Sequence, residues 1–577
     1  MFRLRRFLKN YKLQLTLGPV CKLIEAIFEL FIPLITADII DSGVKNGDVG
    51  YVLRQGGFMI LLGALGLGFA LVCQKSASVA SQGFGTEVRN AMFRHINTFS
   101  HAELDKIGTP SLITRMTNDI NQLQLAVAML IRLVIRAPFL VVGAVIMAMC
   151  IDMRMSLIFL AASPLIALVL FVIMQKSVPF FKTIQKKLDT VSLISRENLS
   201  GNRVIRAFSK QEAEQARLEE QNNALSQTAI AAGRVSALLN PLTYVIAQAA
   251  IIGIVWLGAK FVNDGTLLQG QIIALVNYMT QILLAMIVVS NLVVIFTKAS
   301  ASAARVNEVF DTVPSVREKN TADIPIDDNA PAVAFKNVSF GYADNGYALK
   351  NISFALQKGE TVGIIGGTGS GKSTLVNLIP RFYDTSDGEV FVSGANVKEY
   401  PFKQLRHQMG IVPQSAMLFA GTIQSNMLWG NPNASQDDID KALKIAQAYE
   451  FVYQNPEGLQ RPVTAGGKNL SGGQRQRLTI ARALVAQPAI LILDDSASAL
   501  DFATDAALRK SLKEETQNMT VIMVSQRVGT VRYADKIIVL DKGELVGIGT
   551  HNDLFRTCSI YKEICLSQLK AEEVLNQ

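Results

Sequence analysis

The stretch LSGGQRQRLTIARAL, residues 470–484, decides how the rest of the chain is read. Leu470, Ser471, Gly472, Gly473 and Gln474 lead into a run of helical character. The start of such a helix presents free backbone N–H groups and a positive dipole end, which together suit a phosphate. By itself, a Ser-Gly-Gly turn before a basic helix would be an ordinary surface feature. About 100 residues upstream, however, the strand-like run TVGII (361–365) enters GGTGSGKST (366–374), and an apolar helix-like stretch follows. In that company the turn becomes the second of two phosphate sites.

The first site is the upstream loop. Gly366, Gly367, Thr368, Gly369, Ser370, Gly371, Lys372 and Ser373 fit the spacing G-x-x-x-x-G-K-S/T, and Thr374 continues into the apolar stretch. Glycines let backbone N–H groups curl around phosphate oxygens. Lys372 is placed to reach the β and γ phosphates and the Ser373 hydroxyl to ligate Mg²⁺, so the cofactors implied are ATP and Mg²⁺. Further on, ILILDDSASALD (490–501) carries a hydrophobic strand into Asp494, where a carboxylate would hold Mg²⁺ through water. Four apolar residues before an acid say little alone, but downstream of a phosphate loop they complete a nucleotide site. A second acid, Asp495, follows directly.

Outward from this constellation the chain changes character. It has 577 residues, too many for one ordinary domain. Half are hydrophobic and the mean hydropathy is positive, which points to a membrane part. Long apolar runs occupy residues 14–300, whereas 331–577 have soluble composition. The net charge of +9 could indicate nucleic acid. Its basic residues instead flank the apolar runs (Arg3, Arg5, Arg6, Lys9 and Lys12, then Lys182, Lys186, Lys187, Arg203, Arg206 and Lys210), the pattern of a membrane protein with its positive loops inside. No nucleic-acid partner is expected. The five cysteines form no CxxC pair and are odd in number, so neither a disulfide framework nor a zinc site is expected, and a reducing compartment suits the soluble part. The N-terminal MFRLRRFLKNYK is basic with no cleavage site after it, and is expected to lie along the cytoplasmic face.

A bilayer core takes about 20 apolar helical residues. Six candidate spans result: 15–41, 55–81, 126–150, 154–177, 236–262 and 270–297. With the basic N-terminus inside, the short loops 42–54, 151–153 and 263–269 fall outside. The long loops 82–125 and 178–235 fall inside, polar enough to be helices projecting into the cytoplasm. Charges within spans are costly and mark candidate sites. Glu25 and Glu29 share one face of the first span, and Arg132 and Arg136 share one face of the third. They are expected either to neutralise one another or to border a cavity, where the acids would favour cationic amphipaths. Residues 301–332, rich in Pro, Asp and polar residues, are expected to be a linker.

Taken together these motifs resemble the ATP-binding cassette exporters, over essentially the whole chain. The resemblance implies an all-α six-helix transmembrane domain (1–300) followed by an α/β P-loop nucleotide-binding domain (333–577). LSGGQ is similar to the family's signature, which faces the P-loop of an opposite subunit, so that a complete ATP site needs a dimer. Tyr342, in VSFGY, resembles the aromatic that stacks on adenine. Gln414, in IVPQ, resembles the Q-loop glutamine that contacts Mg²⁺, and Asp501, in SALD (498–501), the D-loop acid that crosses to the partner. SLITRMTNDI (111–120) and ENLSGNRVIRAF (197–208) resemble the two coupling segments, which otherwise read as amphipathic cytoplasmic helices.

Three positions depart from the family pattern. Asp495 stands where the catalytic Glu is expected. Gln526, in VIMVSQRVGT (521–530), stands where the H-loop His is expected, and the four histidines lie elsewhere, at 95, 101, 407 and 551. Ala465 replaces a Glu that bears on the coupling segments. The resemblance is therefore to the degenerate-site subunit of heterodimeric bacterial multidrug exporters. It implies a second half-transporter with the consensus Glu and His, a plasma-membrane location with the cassette and N-terminus cytoplasmic, contact with membrane lipids, and a small hydrophobic or cationic cargo. A slow homodimer and a nonhydrolytic, ATP-gated regulator are the alternatives; the intact signature speaks against the regulator. An importer and a peptide-processing exporter fit less well.

Overall fold

The computed structural model describes residues 2–318, 322–342, 346–516 and 518–568. It divides into two units. One holds the chain up to Asn97 together with Thr109–Thr312; the other holds Thr98–Gly108 and the chain from Val313 on.

The first unit is helical throughout. Its long helices are α1 (Lys12–Asp38), α2 (Val49–Ile96), α3 (Thr109–Ile151), α4 (Met153–Ser200), α6 (Gln211–Asn263) and α7 (Gln269–Asp311), with the short α5 (Asn202–Ala207) at the turn between α4 and α6. Asp48 and Asp152 accept hydrogen bonds from the first backbone N–H groups of α2 and α4, which explains why those helices begin where they do. Five helices, α2, α3, α4, α6 and α7, are long and apolar enough to cross a membrane. The expected first span, α1, is long enough but carries Lys22, Glu25 and Glu29 in its middle, so by apolarity alone it does not qualify. The loops expected to project inside are continuations of the same helices: α2 runs unbroken to Ile96 and α4 to Ser200. Two π-helical turns interrupt α3, at Arg115–Asp119 and Leu130–Val134. The N-terminal turn Phe2–Tyr11 packs on the far end of α7, with Phe7 and Phe310 ring centres 5.8 Å apart and Arg3 paired with Asp311 at 2.8 Å.

The expected linker begins later than 301. α7 continues to Asp311 because Ala299, Ala303, Val306 and Val309 keep an apolar stripe buried at helical spacing. The expected coupling stretch 111–120 lies within α3, in the helical unit. The segment that groups with the second unit is Thr98–Gly108, which contains the short helix His101–Ile107. The second stretch, 197–208, holds the end of α4 at Ser200 and the short α5 at the turn into α6.

The described residues of the second unit form two main sheets and a two-stranded antiparallel pair, β7 (Gly421–Thr422) with β8 (Pro462–Val463). An antiparallel sheet runs in the order β2 (Leu349–Leu356), β1 (Val333–Phe340), β4 (Asp387–Val392), β5 (Ala395–Asn396). The larger sheet runs β12 (Glu544–Gly549), β11 (Lys536–Asp541), β3 (Thr361–Gly366), β10 (Thr520–Val524), β9 (Ile490–Asp494), β6 (Met409–Val412), and is parallel except for β12. Every residue of β9 and β10 is buried, as expected for parallel strands covered on both faces, and this is why ILIL and TVIMV read as unbroken apolar runs. Val524 pairs with both Ile364 and Asp494, so β3, β10 and β9 end at one edge. Ligands of open α/β sheets bind outside that edge.

Candidate nucleotide-binding site

The glycine-rich loop leaves β3 at Gly366 and enters the helix Lys372–Leu378. Gly369 and Gly371 take left-handed backbone conformations, with φ of +79° and +96°. A β-carbon on Gly371 would also lie 2.8 Å from Leu349 Cδ2, so that position accepts only glycine. At Gly367 and Gly369 a β-carbon would meet nothing within 4 Å, so open space faces the loop there. Lys372 Nζ donates to the carbonyls of Gly366 (2.9 Å) and Gly367 (2.7 Å), which folds the ammonium over its own loop. Burial pushes the Lys372 ammonium below its ordinary value, against the pull of Asp495 and Asp494.

Asp494 ends β9 beside this loop, and Ser373 Oγ donates to its Oδ1 at 3.0 Å. Burial raises the Asp494 carboxyl and the neighbouring Asp495 charge adds to the effect, while Ser373 and Lys372 oppose it. A hydroxyl and a carboxylate side by side are hard oxygen donors, the set that Mg²⁺ selects. An incoming cation would also relieve the cost of ionising a buried acid, so the residues present fit Mg²⁺.

Asp495 is held in a left-handed backbone conformation (φ 45°) by three hydrogen bonds: its N–H donates to Val524 O at 2.9 Å, and its carbonyl accepts from Ser498 Oγ (2.8 Å) and Ser498 N (3.3 Å). Aspartate is among the residues that tolerate this conformation. Its carboxylate accepts from Gln414 Nε2 at 3.3 Å. Gln526 lies two residues past the end of β10, with its side chain exposed. Gln568 brackets it from the C-terminal helix Ser559–Gln568, donating to Gln526 O and accepting from Val528 N, both at 2.8 Å. Tyr342 is tethered to the loop helix through Thr374 Oγ1 at 3.1 Å and stands edge-on to Phe340 and Tyr383. Its ring remains 38% exposed, so a planar base has room to stack on it.

Ser471 caps the helix Gly472–Val485 in a capping box with Gln474, and Leu470 anchors the turn in the core. Among the described residues no hydrogen bond or ion pair joins 470–474 to the loop 366–374 of the same chain. The signature turn abuts the D-loop instead: a β-carbon on Gly473 would lie 3.4 Å from Ala499 O. Asp501 is exposed and caps the helix Phe502–Glu515 through Thr504 N and Oγ1, both at 2.9 Å. The backbone N–H of Thr504, then its hydroxyl, hold the Asp501 carboxyl below the usual range.

Sequence reading missed two groups of residues. Arg527 Nη2 donates to Ser498 O at 3.3 Å and so ties the segment after Gln526 to the D-loop. In Thr98–Gly108, His101 stacks on Phe382 with ring centres 4.4 Å apart, and Asp105 accepts from Tyr383 OH at 2.7 Å. Glu103 accepts from Ser100 N at 2.9 Å and from Ser315 N at 3.0 Å. The signal for this short helix was present as Ser100-x-x-Glu103, a capping box.

In the helical unit both expected acids are paired, but of the two expected arginines Arg136 is and Arg132 has no ion pair among the described residues. Glu29 pairs with Arg136 at 2.6 Å and Glu25 with Lys22 at 2.6 Å.

Residues 15–286 match the family described as ABC transporter transmembrane region, and residues 349–498 the family described as ABC transporter. An uncharacterized ABC transporter ATP-binding protein of Mycobacterium tuberculosis is 36% identical over 569 residues, covering 98% of this chain and 97% of the relative. The uncharacterized ABC transporter ATP-binding protein YfiB of Bacillus subtilis is also 36% identical, covering 98% of each. The ATP-dependent lipid A-core flippase of Vibrio vulnificus is 29% identical, covering 97% of this chain and 96% of the relative. Among solved structures, a bacterial Atm1-family ABC exporter with ATP bound has the same fold, with a TM-score of 0.78 at 24% identity, covering 98% of this chain and 99% of that one.

Proposed function

The chain belongs to the ABC transporter family, a multi-pass membrane exporter family that couples ATP to transport as dimers, and from that premise we propose that it is the ATP-holding, poorly hydrolysing half of a heterodimeric exporter. The observation that carries this reading is the pair Asp495 and Gln526 at the edge where β9 and β10 end. Asp draws its carboxylate back by about 1.5 Å relative to Glu, one C–C bond. A misplacement near 1 Å costs on the order of 100-fold in a positioned reaction. Gln can hydrogen-bond a γ-phosphate but carries no positive charge. Loss of one stabiliser of transition-state charge costs about 100- to 1000-fold. The two losses need not add.

Binding is a separate matter. In this reading Gly366–Thr374 wraps the phosphates, Lys372 donates to them, Tyr342 stacks on the base, and Ser373, Asp494 and Gln414 hold Mg²⁺. Bound Mg²⁺ supplies charge neutralisation at the phosphates. Leu470–Gln474 and Asp501 serve the competent site of a second half-transporter that has the consensus Glu and His. The six helices α1, α2, α3, α4, α6 and α7 span the plasma membrane, with the cassette and N-terminus cytoplasmic. The cargo is a hydrophobic or amphipathic compound, a class that includes the lipid named in the Vibrio vulnificus relative, an ATP-dependent lipid A-core flippase.

The test is ATPase activity of the purified chain, alone and with its candidate partner. Near-zero activity alone, strong activity together, and collapse when the partner's catalytic Glu is changed to Gln are expected. Robust activity from the chain alone overturns the reading in favour of a homodimer.

A further inference from the structure

Where α1 meets the middle of α3 the charges do not balance, and this bears on the cargo. There, over residues 22–29 of α1 and 130–136 of α3, lie three cations, Lys22, Arg132 and Arg136, and two acids, Glu25 and Glu29. Lys22 and Arg136 neutralise the two acids at 2.6 Å each. Arg132 has no ion pair and no hydrogen bond among the described residues, and its side chain is partly exposed. It lies in the same part of the bundle, since its neighbour Ile131 meets α1 at Gly18, one helical turn before Lys22.

Three independent features mark the place. Arg132 sits in the π turn Leu130–Val134, and such turns within α-helices concentrate at functional positions. Gly18 brings α1 against that turn, where a β-carbon would collide with Ile131. One helical turn deeper, Arg136 Nε and Gln281 Oε1 are buried without a partner among the described residues, although Gln281 Nε2 reaches Glu29 O at 3.4 Å. At about 1.5 Å per residue, Arg132 lies roughly 28 Å from the Ile151 end of α3. That is close to the ~30 Å thickness of a hydrocarbon core, so Arg132 stands near the inner headgroup level and Arg136 within the apolar layer.

We infer that Arg132, backed by Arg136 and Gln281, is a subsite for the anionic headgroup of an amphiphile, phosphate or a similar oxyanion, entering from the inner leaflet. This replaces the expectation of cationic cargo, because the acids on which that expectation rested are already paired. Arg136 Nε would add a second donor to the same oxyanion, and Gln281 Oε1 would accept from a hydroxyl on the headgroup. The inference rests on the exporter reading but not on which ATP site hydrolyses.

The test is therefore binding without turnover: native mass spectrometry of the detergent-purified full chain with phosphatidic acid, phosphatidylcholine or dodecyltrimethylammonium at equal concentrations. Phosphatidic acid is expected to bind about fivefold more strongly than phosphatidylcholine, the factor one cation near a headgroup supplies. Arg132→Gln is expected to bring the two to parity, and Arg132→Lys to keep most of the preference. Binding of an ATP analogue at the cassette, unchanged in both variants, reports that they are folded. Equal phosphatidic acid binding by wild type and Arg132→Gln overturns the subsite and leaves Arg132 as a side chain reaching for the interface. A preference for dodecyltrimethylammonium that is lost in Glu25→Gln restores cationic cargo instead. Displacement of phosphatidic acid by millimolar inorganic phosphate overturns the amphiphile assignment in favour of a free-anion site.

Discussion

Gln414 Nε2 donates to Asp495 Oδ2 at 3.3 Å, joining the segment after β6 to the acid that follows β9. The contact spends the amide N–H of Gln414 on a protein carboxylate and leaves its carbonyl oxygen for a cation. It also holds the shorter acid sideways, towards β6. In the reading proposed above, a carboxylate engaged in this way would be a poorer base for a water aligned with a phosphate.

Restoring the missing reach and charge should restore hydrolysis. Asp495→Glu combined with Gln526→His is expected to raise phosphate release by the purified chain at least ~100-fold, the size of one positioned or electrostatic contribution. A double variant no faster than wild type would show that something other than these two side chains limits the site.

Removing the loop cation should weaken nucleotide binding without unfolding the cassette. Lys372→Ala loses a charge-assisted donor, about 1.5–3 kcal/mol, so the affinity for a fluorescent ATP analogue is expected to fall about 10- to 100-fold. Unchanged affinity would place the nucleotide away from this loop.

The Glu29–Arg136 pair should behave as a unit. Its side chains are 35% and 21% exposed, so breaking it by Arg136→Ala is expected to cost less than the ~3–5 kcal/mol of a fully buried pair. Thermal unfolding in detergent should show Glu29→Gln with Arg136→Gln losing less than the sum of the single variants. Strict additivity would mean that the two side chains do not interact in solution.

His101 should make the cassette sensitive to acid. Desolvation holds its imidazole below the ordinary value of 6.5, with Asp105 opposing and Arg406 adding to the effect. The unfolded chain therefore binds the proton more readily, and stability is fully present above about pH 6.5 and declines as pH falls towards the lowered value. His101→Phe keeps an aromatic ring on Phe382 and removes the proton. The unfolding midpoint of that variant is expected to fall less between pH 7.5 and 5.5 than that of wild type, and parallel profiles would remove His101 as the cause.

Much of this protein was legible along the chain, because its chemistry depends on short, fixed spacings. Gly366–Ser373, Leu470–Gln474 and Asp494–Asp495 each act within a few consecutive residues, and local backbone geometry makes their types nearly obligatory. Gly371 takes a left-handed conformation beside Leu349, and Ser471 pairs reciprocally with Gln474. The apolar runs likewise marked both the membrane helices and the buried parallel strands. Periodicity alone could not say where a span ends and its continuation beyond the membrane begins, since α2 and α4 keep one helical repeat across both. Nor could it say which charge meets which. Glu29 and Arg136 are 107 positions apart, and only the packing of α1 against α3 selects Arg136 for the pair and leaves Arg132 without an ion pair among the described residues. The same holds for Thr98–Gly108, whose placement rests on His101 finding Phe382 and Asp105 finding Tyr383 far along the chain. Contacts across hundreds of residues follow from how surfaces fit together, and tertiary structure alone decides them.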